Sequence, residues 1–218
     1  MVINIMIIFL KGETMNQEKL IESLLNLDLD TVMDDIMGIA SVLDSNYRDK
    51  PSNYYMKYIQ LSHLDLQRII IADFINWLCL LGYSDGDFSI IELEFIKRYL
   101  RLDIPLNNLL QFCIDSIESG YLEKLPMSFM LFMEDDKEMN NIARKSGYRK
   151  EQDIASRLLL AYEVMGLHFI ICDGNIDENE KLIFFAQTAK IRQMMDELDV
   201  EALSEVYRRK LKEELGVY

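Results

Sequence analysis

Two short acidic stretches are the residues of this 218-residue chain best spaced for chemistry. Ser84-Asp85-Gly86-Asp87-Phe88-Ser89-Ile90-Ile91-Glu92 aligns without gaps on Cys172-Asp173-Gly174-Asn175-Ile176-Asp177-Glu178-Asn179-Glu180, with Asp85 and Asp173 lying 88 residues apart. Brought together, Asp85, Glu92, Asp173 and Glu180 would offer carboxylate oxygens to a hard divalent cation such as Ca²⁺, Mg²⁺ or Mn²⁺, and Asp87 and Asp177 could add more. An ordinary EF-hand is excluded. Asp173 to Glu180 matches the second half of such a loop, but the first and third ligand positions fall on Phe169 and Ile171, and on Leu81 and Tyr83 in the first stretch. The competing role for the same acids is to cap helices, where a carboxylate meets the positive end of the dipole.

The elements that must position these residues are helices. Apolar spacing of three and four dominates from Gln17 onward, and no period-two run is bounded by hairpin signals, so the expected class is all-α. Ile21 to Leu27 and Val32 to Leu43 mark two helices, followed by a polar break at Ser45 to Ser52 and a short helix over Asn53 to Leu61. Two longer helices, Ser62 to Tyr83 and Glu151 to Cys172, are nearly all apolar in the middle and are therefore expected to be buried on every side. Between and after them the pattern gives helices over Ile90–Arg101, Pro105–Ser119, Pro126–Ser146, Glu178–Leu198, with a break near Asp196, and Val200–Leu215. Each acidic stretch thus follows a buried helix and opens an amphipathic one. Gly86 and Gly174 are placed to take the left-handed conformation that ends a helix. Phe88 and Ile176 then turn inward. Ser89 and Asp177 sit at N-cap positions with Glu92 and Glu180 three residues on, the spacing of a reciprocal capping box.

This pair of helix-DG-x-φ-x-x-x-E-helix units, over about residues 62–198, resembles the TerB-like family of domains associated with tellurite resistance. The resemblance implies a helical bundle of two pseudo-symmetric units and a non-enzymatic module of bacterial stress response or defence. It also implies a protein partner, association with membrane-linked assemblies, and cation binding through acidic residues. Position by position it carries over Asp85, Gly86 and Glu92, and Asp173, Gly174 and Glu180. The chain departs from the family in its long insert between the units, its additional N-terminal helices, and Ser89, which stands where the second copy has an acid.

Charge and composition narrow the function classes. With 37 acidic against 23 basic residues, a net charge of -14 and 50% hydrophobic residues, the chain should form one domain with a sizeable core. The same charge opposes non-specific binding to nucleic acid or anionic membranes, so partners should be cationic, metallic or apolar. No nucleophile elbow, phosphate-binding loop, zinc-protease or dinucleotide motif occurs, so an enzyme is not expected. One rival function is an acidic immunity or inhibitor protein that masks a basic toxin; another is a metal-dependent sensor. The third is a metal-dependent hydrolase built on the motif acids together with Asp73 and Glu163, two acids within the apolar helices that need partners such as Arg68 or Arg157.

Several side chains admit a binding role beside a structural one. Met127, Met130 and Met133 with Phe129 and Phe132 form a soft apolar stripe leading into Glu134, Asp135 and Asp136; Met130, Met133 and the three acids are the candidate partner surface. Cys79, Cys113 and Cys172 lack any C-x-x-C spacing and read as buried small hydrophobes, which places the protein in a reducing compartment, the cytoplasm. His168 lies five residues before Asp173 and is within reach of it, though it reads first as a core histidine, as does His63. The basic run Tyr207 to Lys212 suits the end of a helix dipole better than nucleic acid.

Residues Val2 to Leu10 are an apolar run too short to span a bilayer and without a signal-peptide cleavage site. Lys11-Gly12-Glu13 can be encoded AAA-GGA-GAA, a ribosome-binding sequence just ahead of Met15. Translation is therefore expected to start at Met15, with residues 1–14 upstream sequence and 15–218 a single helical domain.

Overall fold

The computed structural model describes residues 21–22, 24–47, 64–83, 88–118, 126–133, 135–136, 154–174 and 178–197. Among these the structure is helical and contains no strand, so the chain is all-α. Six helices are α1 (Leu29–Tyr47), α2 (Leu66–Gly82), α3 (Ile90–Tyr99), α4 (Leu106–Glu118), α5 (Ile154–Ile170) and α6 (Glu178–Glu197); residues 127–133 form a further helical segment. α6 runs unbroken through Asp196, where a break was expected. The helices expected over 53–61 and 200–215, and the N-terminal segment 1–14, lie outside the described residues.

α2 and α5 form the centre. From Asp73 to Cys79 every residue of α2 is buried, and so is every residue of α5 from Ala161 to Leu167. Burial all round follows from sequence that is apolar all round. α2 packs against α1, α3, α4, α5 and α6, and α5 is also covered by α1 and α6. The two central helices run parallel, because their contacts advance together. Phe74 stacks on Tyr162 with centroids 4.4 Å apart, the Trp77 indole Nε1 donates to the Tyr162 carbonyl at 3.3 Å, and Gly82 faces the Phe169 ring. Their C-terminal ends, and the acidic stretches that follow them, therefore lie at the same end of the bundle.

Two glycines set how closely these helices approach. A Cβ on Gly166 would lie 2.8 Å from the Phe184 ring of α6 and 3.1 Å from Trp77 Nε1. The Tyr162 carbonyl sits one helical turn before Gly166, so the missing side chain is what lets the indole reach it. At Gly82 a Cβ would lie 2.6 Å from the Phe88 ring and 3.0 Å from Phe169, which accounts for Phe88 turning inward.

Acidic side chains hold helix N-termini, the positive ends of helix dipoles. The Asp136 carboxylate accepts from the Ile154 and Ala155 amides at 3.3 and 3.0 Å, capping α5 from 18 residues upstream. Asp44, on α1, accepts from the Leu66 amide at 3.1 Å, while the N-cap Asp65 accepts from Arg68 N at 2.8 Å. Asp28 caps α1 through the Thr31 amide and hydroxyl, and these two bonds hold its carboxyl below the usual carboxylate range.

The cysteines correct an expectation. Cys79 on α2 and Cys113 on α4, both fully buried, form a disulfide across a sequence separation of 34, and only Cys172 is a free thiol. Helix packing brings the pair together, which linear spacing could not reveal. The step from scattered cysteines to a reducing compartment accordingly loses its premise. No described helix is long and apolar enough to cross a membrane.

Candidate functional site

The site is built where α2 and α5 end and α3 and α6 begin. Ser89 has the extended backbone of an N-cap (φ -71°, ψ 153°). Its hydroxyl accepts from the Glu92 amide at 3.1 Å, and Glu92 Oε2 accepts from the Ser89 amide at 2.6 Å. The expected capping box is thus formed in full, with Glu92 itself buried. In the second unit Gly174 adopts φ +80°, the left-handed conformation expected of it, and its amide donates to the Ile171 carbonyl at 3.2 Å. Glu180 is buried in the first turn of α6, and Asp173 is half-buried. Asp85, Gly86 and Asp87 of the first stretch, and Asp177 of the second, lie outside the described residues.

The charges of three of the four acids considered for a cation are felt at one thiol. Cys172 is pushed up to about 12, first by burial and then by the negative charges of Glu92, Asp173 and Glu180. The thiol is a poor nucleophile in this setting, since the thiolate is the reactive form. As ligands the described acids fall short. Among the described residues no group of three or more His, Cys, Asp or Glu is arranged to hold a metal ion, and Glu92 already gives one oxygen to its capping box. A cation here would need oxygens from the residues between α2 and α3, where Asp85 and Asp87 stand.

The acids weighed as a catalytic pair go to separate structural partners. Asp73 Oδ2 accepts from the Ser128 amide at 2.8 Å, holding the start of the 127–133 segment, and Glu163 pairs with Arg192 of α6. Neither expected partner is used: Arg68 pairs with Asp65 at 3.6 Å, and Arg157 with Asp35 at 3.1 Å. His168 does not turn to Asp173. Its pKa is lowered by burial, which outweighs the opposite effect of the neighbouring Leu25 and Leu24 backbone.

The expected partner surface is also corrected. Met133, Asp135 and Asp136 are buried, Met130 packs against the core, and Glu134 lies outside the described residues. The stripe faces inward because Phe129, Leu131 and Phe132 are core residues, and Asp136 is committed to the start of α5. What spacing did not single out is a set of exposed apolar residues at the loop end: Tyr83, Ile90, Ile91 and Ile171. A signal for them was present in the repeat, since Ile90 and Ile91 occupy the positions held by Glu178 and Asn179 in the second copy.

Comparison of the chain with family models, with curated proteins and with solved structures gives no match.

Proposed function

We propose that this chain is a non-catalytic, TerB-like binding module of bacterial stress response or defence that acts through a protein partner. The observation that carries the reading is the local architecture of the repeat. Each copy follows a buried central helix; the first closes with the Ser89–Glu92 box and the second turns through Gly174 in the left-handed conformation. Both open toward the same end of the bundle, where apolar side chains remain exposed. The cysteine, histidine and buried acids described above serve packing, capping and ion pairing, which is the economy of a scaffold that presents a surface.

The test is affinity capture of a partner by the full chain from a native host, followed by reconstitution from the two purified proteins. Saturable one-to-one binding that persists in chelator supports the reading. Failure to reconstitute any complex, together with turnover of a substrate by the purified chain, would overturn it. A second reading, a divalent-cation sensor, would draw on Glu92, Asp173 and Glu180, whose charges all act on Cys172. Its test is thermal unfolding of chelator-stripped protein with Ca²⁺, Mg²⁺ and Mn²⁺ added separately. A specific ion at about 100 times its Kd adds about 2.7 kcal/mol. That gain should vanish in Asp85→Asn with Asp173→Asn, and equal unfolding with and without every ion removes the reading.

A further inference from the structure

We propose that the end of the bundle carrying Tyr83, Ile90, Ile91 and Ile171 is a docking surface for a cationic, amphipathic segment of a protein partner. The inference rests on the binding-module reading and names the surface and chemistry through which it would act. Ile90 is 68% exposed, Ile91 50%, and Tyr83 and Ile171 40% each. Single exposed apolar residues are ordinary, but a group at one end of a molecule marks an interaction site.

The internal repeat sharpens this argument. Tyr83 and Ile171 occupy equivalent positions, immediately after the two central helices, and both copies leave an apolar side chain in solvent there. Ile90 and Ile91 open α3 where Glu178 and Asn179 open α6. A helix N-terminus favours acidic and polar residues, and β-branched residues gain little there. The second copy shows that the local structure works with polar residues at these positions. The first copy's two isoleucines therefore answer to something other than the cap. The four residues share one end of the fold: Tyr83 and Ile171 follow the C-terminal ends of the parallel central helices, and the Tyr83 ring is 6.0 Å from the ring of Phe88, which fills the gap between Gly82 and Phe169 just ahead of Ile90.

Charge selects the occupant. The described acids that reach solvent at this end are Glu94, Asp173 and Glu178, and the described lysine beside them, Lys181, pairs with Glu178 at 2.9 Å. A second copy would bring the same acids face to face on a chain of net charge -14, and an anionic membrane would be repelled in the same way. A segment with apolar residues on one face and lysine or arginine on its flanks satisfies both features.

The experiment uses the full chain and a fluorescein-labelled Leu/Lys peptide that is amphipathic as a helix, with a Leu/Glu peptide of the same pattern as control. Anisotropy should show saturable binding of the Leu/Lys peptide, weakening with salt, and none of the Leu/Glu peptide. Ile90→Gln with Ile91→Asn, which keeps the charge and copies the polarity of the second unit, should weaken binding about tenfold. Ile171→Gln, in the turn that follows α5, should weaken it in the same direction, so the result does not hang on one variant folding. Equal binding by wild type and both variants would mean attraction to net charge alone and would overturn the proposal, as would equal binding of the Leu/Glu peptide or no binding of either. Those failures remove this surface and leave the module reading to its own test, reconstitution with the captured partner.

Discussion

Gly166→Ala and Gly38→Ala make the same chemical change in two helices and should move stability in opposite directions. Both replacements relieve the helix of a glycine, a gain of about 1 kcal/mol in a helix interior. At Gly38, on the exposed side of α1, a Cβ would have nothing within 4 Å, so that gain should appear undiminished. At Gly166 the new methyl would lie 2.8 Å from the Phe184 ring and 3.1 Å from Trp77 Nε1. Phe184 cannot turn aside easily, because it is set against Trp77 at 6.0 Å and Phe185 at 5.1 Å. Overpacking of this kind costs about 1–3 kcal/mol, and displacing the indole also weakens its bond to the Tyr162 carbonyl. Because the propensity term is common to both, the two variants should differ by about 1–3 kcal/mol with Gly38→Ala the more stable. Chemical denaturation read by tryptophan fluorescence suits the comparison, since Trp77 is the single tryptophan and sits at the contact. Midpoints that coincide, or Gly166→Ala unfolding later, would refute the close packing of α2, α5 and α6 through this glycine.

Ser89→Ala removes the hydroxyl half of the capping box and should cost about 0.5–2 kcal/mol in thermal or denaturant unfolding, whereas Ser89→Asp should retain most of it. Cys113→Ala opens the loop closed by the Cys79–Cys113 bond; for a separation of 34 residues the chain-entropy term is about 3–4 kcal/mol, read as the stability difference from the oxidised protein. His168 has a folded pKa held below its ordinary value by burial, so the folded state binds the proton less well than the unfolded chain. Its contribution is therefore present above about pH 6.5, and is lost as pH falls from there through the lowered folded value. His168→Gln should flatten the stability profile over that interval, measured as wild type minus variant so that other titrating groups cancel.

The parts of the fold that were readable in the sequence are those fixed over a few residues. Ser89 and Glu92 stand three apart and find each other whatever surrounds them, and Gly174 turns left-handed for a reason internal to one residue. α2 and α5 announced themselves because a helix apolar on every face has only one place to go. What escaped depends on contacts made across the fold. Asp73 and Glu163 required partners, but nothing in linear spacing points to the Ser128 amide or to Arg192 rather than to nearby arginines. The Met130 to Asp136 stripe has the composition of an adaptable surface, yet its orientation is decided by Phe129 and Phe132 entering the core and by the need of α5 for a cap. Cys79 and Cys113 likewise lie on different helices whose packing alone brings them into register. The candidate surface was half visible: Ile90 and Ile91 are conspicuous once set beside Glu178 and Asn179, but only the fold shows that they remain exposed.

Amide hydrogen exchange of the full chain, with and without the Leu/Lys peptide, tests most directly whether the protein binds through the loop end of the bundle. Added protection should be confined to residue 83, residues 88–92 and residues 171–173, leaving 127–136 unchanged. Protection centred on 127–136, or spread evenly over the acidic surface, would contradict the account.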